Sequence, residues 1–128
     1  MTRWVSVRAA LLIHEYQIDE HGGGDGLRDL GRLEAAMARP RTIVDYEPDA
    51  DLSRLAAAYA HGIAKGHPFV DGNKRTAFVV AETFLRANGT ALDATDESCI
   101  EKMLALAAGE LTEDGFAEWL RGVAAPNE

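Results

Sequence analysis

Between Ala77 and Leu85 the chain is apolar on almost every side of a helix. Ala77, Phe78, Val79, Val80, Ala81, Phe84 and Leu85 stand in one nine-residue stretch. A helix without a polar face has to be covered by other elements. The pattern predicts that this helix starts near Asn73, runs to Asn88 and stops at Gly89. The chain is thus predicted to be all-α, a compact set of about six helices around a central buried helix, this fourth one.

The flanking sequence supplies the other five. Ser6 can cap a helix from Val7 to about Ile18, followed by a loop from His21 to Gly26. Asp29 can cap a second helix through Arg39, with Pro40 expected to stop it. Thr42, Ile43, Val44 and Tyr46 make Arg41–Tyr46 a β-prone patch, read as a small hairpin or extended flap. Asp49 or Asp51 starts a third helix, with Gly66 expected as its left-handed stop. Asp96 is expected to cap a fifth helix through Ala108, and Thr112 a sixth to about Val123. With 128 residues, positions 1–128 are read as one domain, with 124–128 as a disordered tail.

Composition excludes several classes. A net charge of −8 argues against a nucleic-acid binder, which needs a basic face. The single cysteine, Cys99, rules out an intrachain disulfide framework and makes a reducing cytoplasm the expected compartment. No run approaches about 18 uninterrupted apolar residues, so no membrane span is expected. His14, His21, His61 and His67 lack the close pairing of a zinc site.

Chemistry concentrates between the third helix and the buried fourth, in His67-Pro68-Phe69-Val70-Asp71-Gly72-Asn73-Lys74-Arg75. A loop running into a helix N-terminus offers free amides to an anion, aided by the helix dipole. Gly72 lets the backbone approach a ligand closely. Asn73 can cap the helix or help close a ring of amides around a phosphate. Lys74 and Arg75 oppose the dipole, a cost that makes sense if an anion sits between them. Asp71 is placed to hold Mg²⁺ through one oxygen. His67 can take a proton from an attacking hydroxyl near neutral pH. Singly, each residue has a bland explanation as a packed or solvated side chain. Together, within nine positions opening an apolar helix, they are hard to explain by packing.

That string resembles the signature of the Fic superfamily: His, any residue, Phe, any residue, Asp or Glu, Gly, Asn, any residue, Arg. The run Gly22-Gly23-Gly24-Asp25-Gly26-Leu27-Arg28-Asp29, the Gly31-Arg32-Leu33-Glu34 segment and Lys74-Arg75-Thr76-Ala77 are similar to its death-on-curing (Doc) branch, toxins of toxin–antitoxin pairs. The resemblance implies an all-helical fold with ATP as donor. It makes His67 the catalytic base and Asp71 the Mg²⁺-linked acid. Gly72, Asn73, Lys74 and Arg75 become the phosphate-holding positions, Arg75 being catalytic as well. It also puts the family's target-aligning flap at Arg41–Tyr46.

AMP-transferring Fic enzymes continue Gly-Asn-Gly-Arg, with another arginine three residues later. Here Lys74 replaces the second glycine and Phe78 takes the later position. Both changes resemble the Doc branch, which implies γ-phosphate transfer to a threonine or serine hydroxyl of a translation factor such as elongation factor Tu, and growth arrest. Gly72 is the AMP-transferring residue type, since the branch's founding member has alanine there, so the site is mixed. AMP transfer and a catalytically silent binding module are the alternatives. No Ser or Thr is followed four positions on by Glu, the mark of an internal inhibitory helix in Fic proteins. An antitoxin binding in trans is therefore expected.

Overall fold

The computed structural model describes residues 1–127. In order it contains α1 (Val7–His21), α2 (Leu30–Tyr46), α3 (Leu52–Gly66), α4 (Asn73–Ala87), β1 (Thr90–Leu92), α5 (Asp96–Ala108), α6 (Glu113–Val123) and β2 (Ala124–Pro126). The all-α class therefore holds. Five helices begin on a side-chain cap: Ser6 accepts from the Ala9 amide, Asp29 from Arg32, Asp51 from Arg54, Thr95 from Ser98 and Thr112 from Gly115. Each cap satisfies an amide that the helix cannot satisfy itself. The cap of α5 is Thr95 rather than the expected Asp96, which lies within the first turn.

The central helix is α3, not α4. Residues 55 to 60 are all essentially inaccessible, and α3 packs on α2, α4, α5 and α6. Alanines at 56, 57, 58, 60 and 64 let neighbouring helices approach it from several directions. The apolar run of α4 is nonetheless buried at Ala77, Val80, Ala81, Phe84 and Leu85, while Phe78 and Val79 are left half-buried.

The flap expected at Arg41–Tyr46 is absent: these residues are the last turns of α2, which continues through Pro40. Pro40 deprives the Ala36 carbonyl of its helical donor. Packing offsets that loss, because Ala36, Met37, Pro40 and Ile43 form one buried face. At its crossing with α3 stands Gly62, where a Cβ would come within 3.1 Å of the Ala36 Cβ. A β-prone residue such as Ile43 follows the face it can bury.

Residues 124–126 are also not a disordered tail. They form β2, antiparallel to β1, with Thr90 opposite Pro126 and Leu92 opposite Ala124. Asn127 fastens the end, donating its backbone N–H to the Gly89 carbonyl and its side-chain amide to the Arg86 carbonyl. Glu128 lies outside the described residues. Among the described residues no helix is long and apolar enough to cross a membrane.

Candidate active site

The loop between α3 and α4 is clasped from three sides. The extended segment around Leu27 bridges Phe69 in antiparallel sense. There, Arg28 and Asp29 donate their amides to the Pro68 carbonyl, and Val70 donates to Gly26. From within, Asn73 takes the Phe69 N–H on its side-chain oxygen and returns its amide to the Phe69 carbonyl, both at 3.0 Å. From α1, the His14 ring stacks flat on Phe69, centroids 3.8 Å apart, and its Nε2 lies 2.8 Å from the Asp71 carbonyl oxygen. A carbonyl only accepts, so Nε2 carries the proton. Phe69 anchors the loop at 1% exposure, while His67, Val70 and Asp71 stand outside.

His67 is the C-cap of α3 and is left-handed, with φ 47° and ψ 54°. Gly66, assigned that conformation from the sequence, is the last helical residue, and its carbonyl accepts from Arg32 Nη1. A side chain at positive φ costs about 1 kcal/mol or more, and such strain collects at functional sites. His67 is the only non-glycine residue at positive φ among those described.

Of the six helices, α4 is the one that starts without a side-chain cap, on left-handed Gly72. Among the described residues no acceptor meets the N–H groups of Asn73, Lys74 and Arg75. The first turn has no acidic residue, unlike those of α5 and α6. Lys74 and Arg75 are exposed, and neither has an ion-pair partner among the described residues. Three free amides and two free cations at a positive dipole end are an arrangement suited to an anion.

Asp71 borders this end. Its carboxylate accepts the Gly72 N–H at 2.8 Å and the Gly24 N–H at 3.2 Å. Those two amides, Gly72 first, hold its carboxyl below the usual carboxylate range. Gly23, at φ +121°, takes a backbone conformation that favours glycine, and a Cβ there would fall 2.7 Å from an Asp71 oxygen and push the carboxylate aside. Among the described residues no group of three His, Cys, Asp or Glu side chains could hold a metal ion. One exposed, ionised carboxylate does suit Mg²⁺, which often binds through a single carboxylate plus waters and substrate phosphates.

Two grooves share Lys74 and Leu104. One, of about 470 Å³, runs between α4 and α5, with Phe78, Val79, Ile100 and Met103 as apolar lining beside Lys74 and Arg75. The other, of about 660 Å³, carries His67 and Lys74 together with Glu101 and Glu110. The sequence-predicted residues thus split by task. His67 and Lys74 share one groove, and Lys74 and Arg75 share the next. Asp71 and Gly72 shape the α4 entry, and the Asn73 side chain is committed to the loop.

Sequence reasoning missed His14, Gly23 and Gly24. The signal for His14 was faint: it stands four residues before Ile18, and both are buried. The pairing of the glycine run with Asp71 spans 47 positions and has no local signature.

Residues 4–85 match the model of the Fic/DOC family. Over 119 residues the chain is 36% identical to a protein of Escherichia phage P1 named "Protein kinase doc", an overlap covering 93% of this chain and 94% of the phage protein. It is 42% identical over 108 residues to "Toxin Doc" of Mycolicibacterium smegmatis, covering 81% of this chain and 82% of that one.

Proposed function

The chain belongs to the Fic/DOC family, and from that premise we propose that it is a Doc-type toxin, a protein kinase that transfers the terminal phosphate of ATP to a protein hydroxyl. The observation that carries this reading is the uncapped, cation-flanked N-terminus of α4, next to a groove holding His67. Residues 1–128 act as one Fic domain.

In this reading the apolar groove beside Phe78 and Ile100 takes the adenine. The amides of Asn73 to Arg75, with the Lys74 ammonium and the Arg75 guanidinium, take phosphate oxygens. Gly72 leaves the helix end open, and Asn73 holds the loop around it. Bound Mg²⁺ would neutralise charge on the phosphates, with Asp71 its protein ligand. His67 accepts the proton of the target hydroxyl while that oxygen attacks the γ-phosphorus, and the bond to the β-bridging oxygen breaks. ADP leaves with that oxygen, and the proton on His67 passes to solvent. Because Arg41–Tyr46 is helical, the extended segment around Leu27, already bridged to Phe69, becomes the element beside which a target strand aligns.

The target is a threonine or serine on a translation elongation factor, and the outcome is growth arrest in the cytoplasm. The groove is silenced by an antitoxin binding in trans. The names of the relatives, a kinase and a toxin, support the kinase and toxin parts of this reading, and the elongation-factor target rests on the resemblance of the motif. Gly72 has a structural use apart from the reaction: its φ of +74° is one that glycine adopts without strain, and the Ile18 methyl would lie 3.1 Å from a Cβ there.

ATP labelled on either the α or the γ phosphate, incubated with the protein and a lysate, tests the reading. Label from γ on a protein band is expected. Label from α would replace kinase by AMP transfer, and no label with retained ATP binding would make the chain a silent module.

A further inference from the structure

The aromatic stack behind the motif loop is not explained by packing alone. His14 is 3% exposed and lies on α1, far in sequence from every residue of the motif. Its ring does two things at once. It lies parallel to Phe69, tilted by only 4°, and it gives Nε2–H to the Asp71 carbonyl. A Cβ on Gly72 would be 3.7 Å from Nε2 and Cδ2, so the ring also backs the residue that opens α4. A phenylalanine would serve the stack and the burial. Only a donor at the position of Nε2 serves the carbonyl.

We propose that His14 is a positioning residue of the transfer reaction: by fixing the Asp71 peptide from behind, it aims the Asp71 carboxylate and the first free amides of α4. This rests on the kinase reading for its consequence in catalysis, though not for the contact itself. Among the described residues, the other hydrogen bonds that hold Asp71 are those its carboxylate accepts from the Gly72 and Gly24 amides. The same carboxylate is proposed to meet Mg²⁺. Without an anchor on the backbone, the metal and the two amides would compete to set its direction. Misplacement by about 1 Å at such a site costs on the order of a hundredfold in rate.

The test uses two variants of the full chain, produced beside its antitoxin and then separated. His14→Phe keeps the stack and removes the donor. His14→Gln removes the stack and can return an amide N–H close to where Nε2 stood. We expect His14→Phe to stay folded, with kcat lowered about ten- to a hundredfold, KM for ATP little changed, and a higher Mg²⁺ concentration needed for half-maximal rate. His14→Gln should recover a large part of kcat even if it is the less stable of the two. A purely structural role predicts the reverse, with kcat following thermal stability and phenylalanine the better substitute. Amide hydrogen exchange gives an answer independent of turnover. In His14→Phe the Gly72 amide, which is bonded to Asp71, should exchange at least several-fold faster, while amides inside α3 stay unchanged. Unaltered exchange at Gly72 together with unaltered kcat would overturn the proposal. Faster exchange in a protein whose wild type transfers nothing from ATP would uphold the contact and refute the kinase reading instead.

Discussion

Asn73 separates a ligand-binding from a loop-holding role, and its replacement by alanine decides between them. The side chain is 7% exposed and makes two 3.0 Å hydrogen bonds to the backbone of Phe69, itself 1% exposed. Alanine would leave the Phe69 N–H and carbonyl without these partners. Each unsatisfied buried backbone group costs about 1–3 kcal/mol, and a loop this close to the surface recovers part of that through water. A net loss of about 3 kcal/mol is expected, far above the fraction of a kcal/mol of an ordinary surface substitution. For a chain of this length that corresponds to a fall in Tm of roughly 10 °C. The assay is thermal unfolding followed by circular dichroism, with amide exchange at Phe69 as the local probe. The Phe69 amide should lose protection selectively, and ATP affinity should fall only as far as the loop loosens. A Tm within about 1 °C of wild type, combined with loss of ATP binding, would refute the argument and make the Asn73 side chain a direct phosphate ligand.

Four further outcomes are expected. His67→Ala should lower transfer by about a hundred- to ten-thousandfold, and His67→Gly should do so while raising stability by about 1 kcal/mol, because glycine relieves the left-handed backbone; an active or destabilised glycine variant would contradict this. Lys74→Gly should abolish most γ-phosphate addition, read by mass spectrometry of the target protein, and undiminished phosphate addition would remove Lys74 from the reaction. Asp71 should titrate by carboxyl NMR below the ordinary 3.8; with its folded value depressed, its stabilising contribution is present above the unfolded value and lost as pH falls through the folded one, so a midpoint above 3.8 would break the two-amide account. Asp51→Ala removes the α3 cap and the bidentate pair with Arg121, which should cost about 1–2 kcal/mol in chemical denaturation, and a loss below about 0.3 kcal/mol would show that the helix needs neither.

Much of this protein is local, and to that extent legible in the chain. Ser6, Asp29, Asp51 and Thr112 are caps because each hydroxyl or carboxylate bonds an amide three positions ahead. The nine-residue string from His67 to Arg75 was readable for the same reason: a loop and the helix end after it bring its members together without help from the rest of the fold. Contacts between distant segments were not readable. Pro40 stops a helix in isolation, yet α2 runs through it because Gly62 of α3 admits Ala36. Local β-propensity at Ile43 gave way to the same buried face. An apolar run marked α4 as covered, but centrality depends on how many neighbours a helix receives, and the alanines of α3 admit more of them. β2 exists because β1 lies opposite it, with Leu92 paired to Ala124 and Thr90 to Pro126, far apart in the chain. His67 takes the left-handed turn next to a glycine that could have taken it more cheaply, with the Gly66 carbonyl tied to Arg32. The groups that can do chemistry are thus written consecutively in the chain. Their aim comes from α1 and the Gly23–Gly24 segment, because a hydrogen bond across 47 or 57 residues exists only once the helices between have packed.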